Sequence, residues 1–396
     1  MRFERLQALQ PVLSLELERL AERNELPRAL LFSGPRGSGR LTAALDLSFS
    51  LTGDSRESLR SVQVVYLASR NLQSEVRAAE KLFLRQRNQK SRAFYIETLR
   101  RVLLQYHSCL NDSERMPEEV KGMRRKEGKG EEKEKNLFER AARLDELLME
   151  LEDQGWEAKT ESIVTRISKR IDDSFLSFGR KTAGAGIDDI RKVQAWLSTG
   201  LEEKCVIFEN VENYTEGAKN SLLKLLEEPQ EHSHLILVSA HPARLLETIL
   251  SRVRKFTFPA VPSERLNSFL RDRFFTHRDY QSFDDFYFQE GAEEGESEEM
   301  ERLTGLYYKA LSTGKGLSRE EEEQMFSYLE KIKGFGQFRE YVLLAMEAAF
   351  RQGRLEPYRA ARLYKALSAI ADRKDTYNMS IRYALDLALR EAGNVD

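Results

Sequence analysis

The feature that most restricts what this chain can fold into is a glycine-rich turn set between an apolar run and a helix. Residues 29–42 read ALLFSGPRGSGRLT. Ala29, Leu30, Leu31 and Phe32 have the length and character of a buried strand, and a helix is expected to begin near Leu41. Strand, tight turn and helix in that order are the setting of the phosphate-binding consensus G-x-x-x-x-G-K-[ST]. Gly34 and Gly39 occupy its two glycine positions, with Gly37 between them. The lysine position holds Arg40 and the Ser/Thr position holds Leu41.

Both departures remove chemistry. Glycines let backbone N–H groups turn inward around a phosphate. A lysine ammonium is a compact point charge, whereas the guanidinium of Arg40 is broad and planar and is not its equivalent. The hydroxyl of the consensus ligates Mg²⁺. Leu41 has no oxygen, and Thr42, one residue late, points about 100° away around the helix. The loop keeps the geometry of a phosphate cradle without the groups for hydrolysis. Taken alone it reads equally well as an ordinary structural turn.

Composition narrows the setting. At 396 residues the chain has room for two or three domains. Its 63 basic and 65 acidic residues leave a net charge of −2, so no overall basic excess signals autonomous nucleic-acid binding. No window approaches 18 consecutive apolar residues, so no membrane span is expected. The N-terminal MRFERLQALQ lacks the apolar core of a signal peptide. Cys109 and Cys205 lie far apart and make no metal pattern, which points to a reducing, cytoplasmic setting. His232 and His234 sit two apart but are read as a turn before a strand, not as metal ligands.

Strand and helix signals alternate at the two ends of the first 260 residues. A helix is expected over Pro11–Arg23, and strands over Ala29–Phe32 and Val62–Ala68. Between Asn71 and Ser177 strand signals nearly vanish and Arg, Lys, Glu and Leu recur with helical spacing. Glu118–Lys135 is almost wholly charged or glycine and reads as a loop between long helices. Phe138–Leu151 is an amphipathic helix, and Gly179–Gly186 a connector. The alternation resumes with a helix at Ile187–Leu197, a strand at Cys205–Phe208, a helix at Ala218–Leu226 and a strand at Leu235–Ser239. A short helix (Leu245–Leu250) and a strand (Lys255–Phe258) follow. Such alternation implies an α/β fold with a parallel sheet covered on both faces. After Pro262 only helices are expected, among them Phe335–Arg351, Pro357–Asp372 and Ser380–Arg390, with loops at Gly291–Glu301 and Ser312–Gly316.

Four runs recur in a meaningful order behind the loop: IDDIR (Ile187–Arg191), VIFENVE (Val206–Glu212), NSLLKLLEEP (Asn220–Pro229) and LETILSRV (Leu246–Val253). Together they resemble the clamp-loader branch of the AAA+ family, the subunits of the bacterial DNA polymerase III clamp loader. The hallmark there is N-x-L-L-K-x-L-E-E-P followed by T-I-x-S-R-C. Asn220, Leu222, Leu223, Lys224, Leu226, Glu227, Glu228 and Pro229 match the first. Thr248, Ile249, Ser251 and Arg252 match the second, with Val253 in place of cysteine. The resemblance implies an AAA+ core over 1–70 and 187–260 with a charged helical insertion over 71–186. It further implies a helical lid over 261–330 and a helical collar over 331–396, where Tyr377–Leu389 is similar to the family's terminal helix.

The resemblance also implies roles, and the departures qualify them. The Walker B acids would lie at Glu209 and Glu212, with no Asp. Sensor 1 would be Ser239, a single small hydroxyl. No G-x-x-R-D-type sensor 2 is visible, and the four zinc-binding cysteines of the family are missing, so no zinc or other metal is expected. Gly34, Gly37, Gly39, Arg40 and Thr42 would form a degenerate Walker A loop that binds ATP weakly or not at all. The arginine of the Ser-Arg-Cys motif survives as Arg252, beside Ser251. In the family it acts in trans on a neighbour's ATP. Left to local chemistry, Arg252 is a surface arginine at a helix C-terminus, and Arg254 competes for the trans role. Lys224 either lines a DNA-facing groove or pairs with Glu228 at i,i+4. Glu227 and Glu228 are read as solvent-facing or as packing a helix end. Arg2 and Arg5 could reach a neighbour. Arg85, Arg87, Lys90, Arg92, Arg100 and Arg101 are read as belonging to a solvated helical hairpin.

The expected function is that of a non-hydrolysing stator of the clamp loader, not catalytic by itself and a component of the DNA polymerase III holoenzyme. Its expected partners are the ATPase motor subunits, a delta-type subunit, the sliding clamp and primed DNA, with no membrane. A divergent active AAA+ ATPase and a pure interaction platform are the alternatives. Turnover by the isolated chain would mark the first, and indifference of the assembly to Arg252 the second.

Overall fold

A computed structural model describes residues 3–55, 59–67, 72–110, 128–153, 159–176, 185–332, 334–377 and 379–393. The chain divides by contact into two compact units, Met1–Gly291 and Ala292–Asp396. The boundary falls inside the stretch expected as a lid.

The first unit is built on five parallel strands: β1 (Ala29–Ser33), β2 (Val64–Leu67), β3 (Lys204–Glu209), β4 (Ser233–Ser239) and β5 (Arg254–Thr257), in the order β2-β3-β4-β1-β5. Side-chain alternation along each strand divides the core in two. Leu31, Val65, Leu67, Val206, Phe208, Leu235 and Leu237 belong to one buried cluster. Leu30, Phe32, Val64, Tyr66, Ile207, Ile236 and Val238 belong to the other. Both faces are covered, so these strands read as unbroken apolar runs. This is the α/β architecture expected of an AAA+ core.

Register fixes which residues share the carboxyl edge of the sheet. Ser33 aligns with Ser239 and with Thr257, and Glu209 aligns with Val238. In open α/β sheets ligands bind outside that edge. The glycine turn leaves β1 there, between β4 and β5.

The helices after β2 are not a detached arm. Gln73–Gln86, Gln89–Leu103 and Gly128–Asp153 contribute Leu82, Phe83, Tyr95, Leu99, Leu144 and Leu148 to the cluster that covers one sheet face. Among the described residues between 72 and 176 there is no strand, as the sequence implies. The solvated hairpin needs correction, because Arg100 is only 1% exposed and pairs with Asp145 and Glu152. Arg85 pairs with Glu290, Arg87 with Glu161 and Arg101 with Glu75. The loop expected over Glu118–Lys135 also needs correction: 118–127 lie outside the described residues, and the chain is helical from Gly128. Residues 179–184 of the expected connector also lie outside them.

The second unit is helical, with Glu296–Thr313, Arg319–Ile332, Phe335–Arg351, Pro357–Tyr377 and Ile381–Gly393. Its buried residues include Met300, Leu303, Tyr307, Phe338, Val342 and Leu385. The Tyr307 hydroxyl donates to the Leu385 carbonyl at 2.7 Å. The expected loop Gly291–Glu301 shrinks to Ala292–Gly295. Glu296, Glu298 and Glu299 open a helix, where the exposed N-terminal dipole favours carboxylates.

Candidate functional site

The turn after β1 is held from several sides. Gly34 has φ 151°, and a Cβ there would stand 2.1 Å from the Phe258 carbonyl oxygen. That approach follows from pairing, since the Phe258 N–H donates to the Ser33 carbonyl at 2.7 Å. Gly37 and Gly39 take the left-handed conformation, with φ 73° and 90°. The Gln10 side-chain amide donates to the Ser38 carbonyl at 3.0 Å and to the Pro259 carbonyl at 2.7 Å. Gly39 caps the helix Arg40–Thr52, whose first-turn N–H groups lack intrahelical acceptors.

The cleft over this turn has a volume of about 110 Å³. That is small beside the roughly 300–1,000 Å³ of ordinary small-molecule sites. Gly37, Gly39, Arg40, Thr42 and Glu209 all line it, so the structure brings these candidates together. Arg40 is buried, at 7% exposure. Three lining residues come from the helix Phe283–Gly291, which the sequence did not connect with the loop: Phe283, Asp284 and Tyr287. A Cβ added to Gly37 would meet the Phe283 ring at 3.4 Å, and Asp284 pairs with Arg36 at 3.7 Å. Arg101, also on the wall, is paired with Glu75.

The two candidate acids have internal partners. Glu209 is 5% exposed, and its Oε2 accepts from the Tyr66 hydroxyl at 2.5 Å. Glu212 does not line the cleft. Its Oε1 accepts from the backbone N–H groups of Ala240 at 2.8 Å and His241 at 3.1 Å, tying the turn after β3 to the turn after β4. Ser239 is fully buried, does not line the cleft, and its hydroxyl has no hydrogen-bond partner among the described residues.

Arg252 lies elsewhere, on an exposed turn after the short helix Glu247–Leu250. Its Nη1 donates to the Thr248 carbonyl at 2.7 Å, and its Nη2 pairs with Glu227 Oε1 at 2.7 Å. NSLLKLLEEP and LETILSRV therefore meet through this ion pair. Glu227 is exposed at the end of its helix, in keeping with the solvent-facing or helix-end reading, and the ion pair with Arg252 is a contact that the sequence does not indicate. Ser251 bonds locally, its hydroxyl donating to the Thr248 carbonyl at 3.1 Å. Arg254 stacks its guanidinium over Phe256 at 5.3 Å. Lys224 is exposed and makes no ion pair with Glu228 among the described residues. Arg5 pairs with Glu97, and Arg2 lies outside the described residues.

His232 Nδ1 and His234 Nε2 each bond one oxygen of Glu203, at 3.1 and 3.0 Å. Among the described residues no group of three or more His, Cys, Asp or Glu is arranged to hold a metal ion. No helix among them is long and apolar enough to cross a membrane.

Comparison with known proteins finds partial similarities to one group of replication subunits. A family model described as DNA polymerase III, delta subunit, matches residues 129–262. The chain is similar to the tau subunit of DNA polymerase III from Bacillus subtilis strain 168, with 34% identity over 84 residues, 20% of this chain and 15% of that protein. It is 44% identical over 67 residues to the delta-prime subunit from the same organism, 16% of this chain and 20% of that one. It is 33% identical over 84 residues to the delta-prime subunit from Haemophilus influenzae, 20% of this chain and 25% of that one. The matched stretches thus span a quarter or less of these relatives' lengths. A crystal structure of a DNA polymerase III gamma subunit-related protein from Thermotoga maritima aligns with 63% of this chain and 98% of its own, at 19% identity and a TM-score of 0.32. With the glycine turn and the paired NSLLKLLEEP and LETILSRV motifs, these partial matches make the chain similar to subunits of the DNA polymerase III clamp loader over the matched stretches.

Proposed function

We propose that this chain is a delta-prime-type stator of the clamp loader. In this reading it sits in a cytoplasmic replication assembly with ATPase subunits and a delta-type subunit, and helps place a sliding clamp on primed DNA. It turns over no ATP itself and lends Arg252 to the ATP site of a neighbour. An arginine in trans stabilises charge on the transferring phosphoryl group, and its planar, permanently charged fork suits that task.

One contrast carries the proposal. At its own phosphate-type loop the groups for hydrolysis are missing or engaged: Leu41 offers no oxygen, Glu209 is bonded to Tyr66, and Glu212 to two backbone N–H groups. Arg252 stands on the surface. A site built to use nucleotide would show the opposite distribution.

The test is reconstitution with ATPase subunits of the family. The isolated chain should show no ATP turnover with Mg²⁺. Arg252→Ala should lower DNA-stimulated turnover of the assembly by on the order of 10³-fold without preventing assembly. Robust turnover by the isolated chain, or an assembly indifferent to Arg252→Ala, overturns the proposal.

A further inference from the structure

A trans-acting arginine works only if its guanidinium is held where the neighbour's phosphates will be. A free arginine samples many rotamers, and part of its catalytic advantage is lost to that freedom. Arg252 is not free. Nη1 is fixed by the Thr248 carbonyl at 2.7 Å, with the Ser251 hydroxyl at 3.4 Å, and Nη2 is fixed by Glu227 at 2.7 Å. The two main acceptors sit on anchored elements. Thr248 precedes Ile249, which is fully buried. Glu227 ends the helix Glu216–Glu227, whose start is capped by the Thr215 hydroxyl accepting from the Ala218 N–H at 3.2 Å. That helix buries Ala218, Leu222, Leu225 and Leu226.

We infer that Glu227 is the positioning residue for Arg252, fixing the orientation in which the guanidinium is presented to a neighbouring nucleotide. The inference rests on the trans-arginine reading above and adds a residue to it. The carboxylate does not touch the nucleotide; it removes rotamer freedom from the arginine before the partner arrives. With side chains 33% and 48% exposed, the pair is too open to act as a lock. Its Coulomb attraction is modest, and the guanidinium exchanges readily toward a phosphate of higher charge.

The experiment measures steady-state ATP turnover by the reconstituted, DNA-stimulated assembly carrying Glu227→Ala, Glu227→Gln, Arg252→Ala, or Arg252→Ala with Glu227→Ala. The expected result for Glu227→Ala is a roughly two- to fivefold fall in kcat, with KM for ATP unchanged. Glu227→Gln, which keeps an acceptor oxygen without the charge, should fall between Glu227→Ala and the parent. In the Arg252→Ala background, loss of Glu227 should have no further effect. Three outcomes overturn the inference. If Arg252→Ala cripples the assembly while Glu227→Ala leaves kcat unchanged or raises it, Glu227 does not position the arginine and the trans role stands alone. If Glu227→Ala lowers kcat equally with Arg252 already removed, it acts through the fold. If Arg252→Ala itself has no effect, the trans-arginine reading fails and the inference fails with it.

Discussion

Gly34→Ala separates two reasons for a glycine in a phosphate-type loop. One is access: a bare backbone lets phosphate approach. The other is internal packing. The structure favours the second at this position, because a Cβ on Gly34 would stand 2.1 Å from the Phe258 carbonyl oxygen at φ 151°. Backbone strain of that kind costs about 1–3 kcal/mol, and overpacking against a fixed neighbour costs about 1–3 kcal/mol more. Phe258 cannot retreat cheaply, since its N–H is bonded to Ser33 at 2.7 Å and its ring lies 5.2 Å from that of Phe32. The sum, about 2–6 kcal/mol, is a large part of the stability of a natural domain. At about 2–4 °C per kcal/mol for a unit of this size, a central value of about 4 kcal/mol is a fall of about 8–16 °C in the midpoint. Differential scanning calorimetry without nucleotide measures it. Gly37→Ala is the control, because its Cβ would meet only the Phe283 ring at 3.4 Å; it carries left-handed strain alone and should cost less. A Gly34→Ala protein melting within 2 °C of the parent, or below Gly37→Ala in its loss, would falsify the packing account.

Two further predictions concern titratable groups. Burial lowers the His234 pKa, with Arg28 adding to the effect and Glu203 opposing it. The unfolded chain therefore takes up this proton first as pH falls below the ordinary value of 6.5. The His234 contribution is full above that value and declines below it. The drop in thermal midpoint between pH 7.5 and 5.5 should shrink in His234→Gln, and an equal or larger drop in that variant contradicts the assignment. Cys205 is fully buried, with the Ser48 hydroxyl 3.0 Å from its sulfur, and burial pushes its thiol up to about 12. Cys109 is buried as well. Neither should react with a thiol reagent at pH 8 until the chain is denatured, when both should; prompt labelling of the native protein would refute this.

The sheet was legible because its strands are buried on both faces, so Leu30–Phe32, Cys205–Phe208 and Leu235–Val238 stand out as unbroken apolar runs. The helices Ile187–Leu197 and Phe335–Arg351 are legible at their observed bounds, because their apolar residues recur with helical spacing. Besides the loop at Glu118–Lys135 and the exposure of Arg100, the acidic stretch after Gly291 departs from its expected form. Glycine and glutamate suggest a loop, yet carboxylates also stabilise a helix N-terminus, and here the helix prevailed. The loop, the acids and Arg252 were all found as motifs. Their environment was not, because it is set by contacts between segments distant in the chain. Tyr66 reaches Glu209 across β2 and β3, Glu227 reaches Arg252, and Phe283 reaches Gly37. No local period encodes such meetings.

The brace made by Glu212 bears on how such a chain can change over generations. Placing Lys at 40 and Ser at 41 would supply the two consensus groups that the loop lacks. It would leave the Glu212 carboxylate on the N–H groups of Ala240 and His241, and Glu209 on Tyr66. Releasing Glu212 for chemistry would undo its bonds to the Ala240 and His241 N–H groups, which tie the turns after β3 and β4 together. On the reading proposed above, a return to nucleotide chemistry needs the loop and the Glu209 and Glu212 contacts to change together, and that requirement acts as an evolutionary ratchet.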